Sequence, residues 1–297
     1  MGILSSKTHL TLDNNYRSIE QTSEDNPNLA NTSHYFMDKF EDADFSKLDD
    51  LLIDILSFVS ADDLIYNCRL VCKEWKEIID GHSVWKIKCQ REKKNIPTVL
   101  LNKIPKHYYR KIFVFNPYGR NLIRNACGKG ELEGWEIRSN GGDGFKVEEP
   151  PQGADPVPVE VGSQSCFATS YGLCTKYQQV YLMENGISKE ILQLETTKIE
   201  VGEWYAARFD CAAKYKLSVA LISLENGVEA NLLPERFFKH SYTEEQWVGK
   251  QWYKVSHTFK NIGDVSSVCF EHCAQDKQFW AGHFGMKMTG SYVKVIA

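Results

Sequence analysis

Residues Phe270–Gly285 read FEHCAQDKQFWAGHFG. Phe270 and His272 continue an alternation begun at Val268, so the stretch enters as a β-strand with one buried face. Gln275-Asp276-Lys277-Gln278 then reads as a polar turn, after which Phe279, Trp280, His283 and Phe284 cluster around Gly282 and Gly285. Aromatic residues on a glycine-punctuated loop form a rigid contact surface of low conformational cost. Trp280 is the expected centre of that surface, with Phe279 beside it and Phe284 turned towards the core. His272, on the same strand face as Phe270, is expected as a core histidine.

The same period of two recurs on either side. Tyr215, Leu217, Val219 and Leu221 form one such run, Tyr253, Val255, His257 and Phe259 a second, and Val293 with Val295 a third. Turn signals separate them: Asn140-Gly141-Gly142-Asp143-Gly144, the prolines from Pro150 to Pro158, and Glu225-Asn226-Gly227. Many short antiparallel strands over residues 116–297 predict a β-sandwich or jelly roll.

Upstream the period changes. Leu51, Leu52, Ile55, Leu56 and Val59 fall at helical spacing behind Ser46, Asp49 and Asp50. Ser60-Ala61-Asp62-Asp63 supplies a new N-cap for a second helix carrying Leu64, Ile65, Cys68, Leu70 and Val71. A third passes through Trp75, Ile78 and Ile79 and stops at Asp80-Gly81. A three-helix unit over 44–92 is too small to bury all these apolar positions, which predicts a partner on one face. The whole is therefore an α + β multidomain chain. Residues 93–115 read as a structured linker with a short apolar helix between Pro97 and Pro105, and residues 1–43 as a disordered tail poor in apolar periodicity. Met1-Gly2-Ile3-Leu4-Ser5-Ser6 satisfies the N-myristoylation pattern at Gly2, a weak anchor by itself.

Composition excludes several classes. A net charge of -4 over 297 residues gives no general attraction to nucleic acid, and the one basic stretch, with Tyr108 and Tyr109, carries apolar docking residues instead. No apolar run is long enough to span a membrane or to serve as a secretory signal, so the expected location is cytoplasmic. Nine cysteines without a C-x-x-C pair predict buried thiols and no metal or other cofactor. Asp210, Glu271, Asp276 and His272 are the groups a hydrolase would need, yet no nucleophile elbow, phosphate loop or metal motif accompanies them, and a non-enzymatic protein is expected.

Two family resemblances cover most of the chain. Leu48, Leu51, Leu52, Ile55, Leu56, the Ser60–Leu64 turn and Arg69-Leu70-Val71-Cys72-Lys73-Glu74-Trp75 with Trp85 resemble the F-box. The F-box is the helical motif by which ubiquitin-ligase receptors bind a Skp-family adaptor and, through it, a cullin. The resemblance implies Leu48, Leu51, Leu52, Ile55, Leu56, Leu64, Leu70, Val71 and Trp75 as adaptor-binding. Asp49 stands where most F-boxes carry proline.

From Asn116 onward the sequence resembles the F-box-associated domain of the sugar-recognising F-box proteins, a jelly roll of the galactose-binding-like kind. Asn116-Pro117-Tyr118-Gly119-Arg120-Asn121-Leu122, Leu132-Glu133-Gly134-Trp135, Gly141–Gly144, Phe167–Tyr171, Trp204-Tyr205-Ala206, Ser256–Phe259, and Phe270-Glu271-His272 with Gln275-Asp276 and Trp280 carry it. The resemblance implies a receptor for misfolded glycoproteins bearing high-mannose N-glycans, held by their chitobiose core and destined for ubiquitination in endoplasmic-reticulum-associated degradation. By position it implies Trp280 as a stacking platform, Tyr171 facing it, Asp210 as acceptor, and Phe279 and Ala281 in contact. Phe279 stands where relatives often have Tyr, Ala281 where some have Lys, and His283 where they carry Trp. The missing phenolic hydroxyl alone removes a bond worth about 0.5–1.5 kcal/mol, so weaker glycan binding is expected. A non-glycan peptide or protein client is the alternative.

Overall fold

The computed structural model describes residues 45–97, 104–225, 228–229 and 234–297. The expected tail, Gly2, the apolar segment after Pro97 and the Asn226-Gly227 turn lie outside the described residues. Residues Leu51–Ala297 form one compact unit by their contacts.

The helical segment consists of α1 (Phe45–Leu56), α2 (Ala61–Tyr66), a 3-10 turn (Cys68–Leu70), α3 (Lys73–Asp80) and α4 (Ser83–Arg91). Ser60 caps α2 as its sequence predicts, its Oγ accepting from Asp63 N at 3.1 Å. Gly81 ends α3 by returning its N–H to the carbonyls of Glu77 and Ile78. Two features differ from the sequence reading. The second helix ends at Tyr66, with Leu70 and Val71 on the following turn and corner, and α4 makes a fourth helix. That helix packs through Val84, Trp85, Lys88 and Cys89, all buried. The Trp85 indole N–H donates to Ile79 O at 2.7 Å and Lys88 Nζ to Val59 O at 2.7 Å, which satisfies both polar groups inside the core. A fifth helix, α5 (Tyr108–Phe115), leads into the β region.

Residues beyond Asn116 form two antiparallel sheets. Strands β1 (Glu136–Asn140), β4 (Cys174–Tyr181), β10 (Val265–Asp276), β6 (Ala213–Glu225) and β7 (Val228–Glu229) lie in that order in one, with β8 (Phe237–Glu244) also paired to β6. The other has the order β2 (Lys146–Glu148), β3 (Cys166–Ala168), β11 (Lys287–Ile296), β5 (Lys198–Ala206) and β9 (Tyr253–Phe259). The alternating runs supply the shared core: Leu217, Val219, Leu221, Val268, Phe270, Val293 and Val295 are buried, as are Val255 and Phe259.

Register fixes where the loops emerge. Asn140 pairs with Cys174, Ala274 with Cys174, Asp276 with Ala213, and Glu244 with Ala213. In the second sheet Lys287 pairs with both Ala168 and Ala206, Lys146 with Ala168, and Tyr205 with Tyr253. The segments 141–145, 169–173, 207–212, 245–252 and 277–286 therefore leave the sandwich at one end. The chain enters at the other, where Tyr118 bridges to Val295.

Strand β10 runs further than the sequence indicates. Gln275 and Asp276 are not turn residues: they pair with Lys214 and Ala213, and the turn begins at Lys277. Asp276 is fully buried because its side chain serves the loop that follows.

Candidate ligand-binding end of the sandwich

The loop 277–286 is built on Asp276. Its Oδ1 accepts the Phe279 N–H at 2.6 Å, closing a turn that holds Phe279 at φ 59°. A bulky residue in the left-handed region is sterically costly and persists only where surrounding bonds impose it. The consequence is exposure: Phe279 is 70% exposed and Trp280 40%. Burial pushes the Asp276 carboxyl above its ordinary range, opposed by the loop N–H groups it faces. Trp280 rests edge-on against Phe284 at 5.6 Å between centroids. Phe284, expected in the core, is half-buried and supports Trp280 from below. Ala281 is exposed, and His283 reaches from Nε2 to the Asp143 carbonyl at 3.3 Å.

Ser170 ties three loops together. Its Oγ accepts from Asp143 N at 2.9 Å and donates to Gly282 O at 2.7 Å, while its carbonyl receives the Asp276 N–H at 3.1 Å. Gly282 N donates to Asp143 Oδ2 at 2.6 Å. The loops can approach because the contact positions lack side chains: a Cβ on Gly172 would lie 2.4 Å from Gly141 C, and one on Gly285 2.3 Å from Thr169 Oγ1. Tyr171, half-buried, lies on the loop between these anchors, with its ring beside Gly142.

Asp210 sits on the fourth loop. Both its carboxylate oxygens take hydrogen bonds from Arg208, at 2.9 Å each, and this bidentate contact holds its carboxyl below the usual range. Asp210 thus orients Arg208 first, keeping only its remaining lone pairs for a ligand. The Arg208 guanidinium lies over the Phe284 ring at 4.5 Å, so an Asp210–Arg208–Phe284–Trp280 chain connects the loops. Cys211 Sγ donates to Gln278 Oε1 at 3.0 Å and Lys277 N to Ala212 O at 2.8 Å, closing the same joint. Arg208, Ser170 and Asp143 were not singled out by sequence reasoning. Their roles come from contacts between residues far apart in the chain, such as Ser170 with Gly282, 112 residues away, and Asp143 with Gly282, 139 away, which no local pattern carries.

Among the adaptor-contact residues implied by resemblance, Leu48, Leu51, Ile55, Leu70 and Val71 are exposed. Leu52 and Trp75 are half-buried. Leu56 and Leu64 are fully buried in the helical core. Phe58 is also exposed and lies under Arg91 at 3.8 Å. No group of His, Cys, Asp or Glu suited to a metal occurs among the described residues.

Comparison with known proteins finds relatives for both regions. The family model of the F-box-associated region matches residues 113–295, and an F-box-like model matches residues 49–91. Rat F-box only protein 6 is 36% identical over 248 residues, 83% of this chain and 84% of its own. Mouse F-box only protein 27 is 36% identical over 268 residues, 86% and 92%, and human F-box only protein 44 is 33% identical over 248 residues, 83% and 94%. Among solved structures, a carbohydrate-binding module in complex with β-1,4-galactotriose is similar at TM-score 0.34 and 14% identity, covering 59% of this chain and 98% of that one. By the family models that span its two halves and by relatives matched over most of their length, the chain belongs to the F-box proteins that carry an F-box-associated region.

Proposed function

We propose that the chain is the substrate receptor of a Skp-cullin-F-box ubiquitin ligase and that its loop end binds the chitobiose core of N-glycosylated client proteins. The clients are misfolded glycoproteins bearing high-mannose glycans in the degradation route of the endoplasmic reticulum, met by a cytoplasmic receptor. The chain contributes no bond-making chemistry: it brings client and ubiquitin-loaded enzyme together, and proximity supplies the rate.

One observation carries the ligand reading. Trp280 is 40% exposed next to the strained turn at Phe279, set edge-to-face against Phe284, whose ring lies under Arg208. Its loop is tied through Gly282 to Asp143 and joined by Lys277 and Gln278 to the loop that carries Asp210. A pyranose offers an apolar C–H face to such a ring and a rim of hydroxyls to carboxylates and N–H groups. Phe279, without a hydroxyl, supplies a wall and no hydrogen bond. Calorimetric titration of the full chain with chitobiose tests the reading. Binding that falls at least about ten-fold in Trp280→Ala supports it, on the scale of removing one stacking aromatic. Absence of binding, or an unaltered Trp280→Ala variant, overturns it. Client capture that persists after enzymatic deglycosylation identifies a polypeptide client instead.

A further inference from the structure

The fifth loop of the same end, 245–252, carries aromatic and aliphatic surface that the carbohydrate reading leaves unused. Trp247 is 66% exposed, Val248 69% and Phe209 44%, and together with Gly249 and Lys250 they line an open cleft of about 340 Å³. Trp247 is held at φ 66°, the left-handed region, with its N–H bonded to Phe209 O at 2.8 Å. The two rings lie 5.8 Å apart at 58°. A large apolar residue kept exposed by a strained turn is not explained by packing.

We propose that Phe209, Trp247 and Val248 receive an apolar stretch of client polypeptide next to its glycan attachment point, an inference that rests on the loop end being a carbohydrate site. Continuity identifies the occupant. Gln246 Nε2 donates to Asp210 O at 2.8 Å and Lys277 Nζ pairs with Glu245 Oε1 at 2.7 Å, so the Trp247 loop is bound to the Trp280 loop itself and to the Asp210 loop beside it. A ligand attached through a sugar at Trp280 brings its own polypeptide to this neighbourhood and nothing else as reliably. The lining is poorer in polar groups than the Trp280 side: among Phe209, Trp247, Val248 and Gly249 only the Trp247 indole N–H can hydrogen-bond through a side chain. No carboxylate lines the cleft, and the Lys250 charge is paired with Asp155 at 3.1 Å, so a second sugar would find a stacking face with little for its hydroxyl rim. A second copy of the chain is disfavoured by size, since three partly exposed side chains fall well short of the roughly 800 Å² per partner of a stable interface. The selective consequence is that a glycoprotein with apolar residues exposed beside its glycan, the mark of a misfolded client, binds better than a native one.

The test compares free chitobiose with two synthetic glycopeptides that carry it on Asn, one flanked by Leu and Phe, the other by Ser and Gly, and with the unglycosylated apolar peptide. The protein is the full chain, unaltered or as Trp247→Asn, which keeps the left-handed turn because Asn tolerates it; Val248→Ser is the second variant. The expected result is tighter binding of the apolar glycopeptide, reduced about ten-fold by Trp247→Asn while free chitobiose stays within about two-fold. Equal affinity of the two glycopeptides, or loss in neither variant, overturns the proposal, as does a Trp247-dependent dimer in sedimentation equilibrium. Trp247-dependent binding of the unglycosylated apolar peptide with no chitobiose binding removes the carbohydrate reading and leaves the apolar surface standing.

Discussion

At the scale of single residues the interior of the sandwich is more polar than its strand pattern implies. Glu203, His272, Lys176 and Ser291 are all fully buried and Tyr215 nearly so. Glu203 accepts from Ser291 Oγ at 2.8 Å, from His272 Nδ1 at 2.8 Å and from the Tyr215 hydroxyl. Burial alone drives the Glu203 carboxyl up, but His272 and these hydrogen bonds together hold it below its ordinary value. Glu203→Ala strands three buried partners and is expected to cost on the order of 3–5 kcal/mol in urea denaturation. Lys176 differs: its amine lies 3.2 Å from the Trp135 ring centroid and 3.4 Å from that of Phe167, with no hydrogen-bond acceptor among the described residues. Burial pushes this amine well below 10.5. The unfolded chain then binds the proton more tightly, so stability climbs with pH from the lowered value up to about 10.5. Lys176→Met is expected to flatten that slope and to raise stability by about 1–3 kcal/mol at neutral pH. Thermal unfolding at several pH values checks both, and a variant less stable than the unaltered chain at neutral pH contradicts the account.

At the scale of elements the site depends on loops that meet side by side. Ser170→Ala removes the acceptor for Asp143 N and the donor to Gly282 O without creating a cavity of any size. It is expected to cost about 1–3 kcal/mol and to weaken chitobiose binding, because Asp143 also positions Gly282 and hence the Trp280 loop. Unchanged binding in this variant removes Ser170 from the architecture of the site. These joints explain what was legible beforehand. The period-two runs, the Ser60 cap and the Gly81 stop are local signals, and each yields the element it indicates. The end of β10 is not local: Gln275 and Asp276 look like turn residues, and only pairing with Lys214 and Ala213 makes them strand. Helix α4 escaped for a related reason, since its buried face includes Lys88, whose amine is satisfied by carbonyls about 30 residues away. Trp247 stands in the polar stretch Ser241–Lys250, where no apolar period draws notice to it.

At the scale of the whole molecule, the two proposed binding surfaces are expected to be separately perturbable. On the helical side Leu51, Ile55, Phe58, Leu70 and Val71 are exposed, while Leu56, Leu64, Ile79 and Trp85 beneath them are not. Exposed apolar residues over an intact core mark a surface that a partner covers. Replacing Leu70 and Val71 by Asp puts charge on that surface without touching the core, and substitutions of this kind usually alter stability by no more than about 0.5 kcal/mol. An apolar interface that must then bury two carboxylates loses its adaptor, by at least about a hundred-fold if each contributes as an interface core residue does. The double variant is therefore expected to keep its melting temperature and its affinity for chitobiose and to fail to pull down the Skp-family adaptor. Trp280→Ala is expected to do the reverse, keeping the adaptor and losing the ligand. Were either variant to lose both activities while still folded, the two surfaces would be coupled, and a receptor that merely bridges client and ligase would no longer describe the chain.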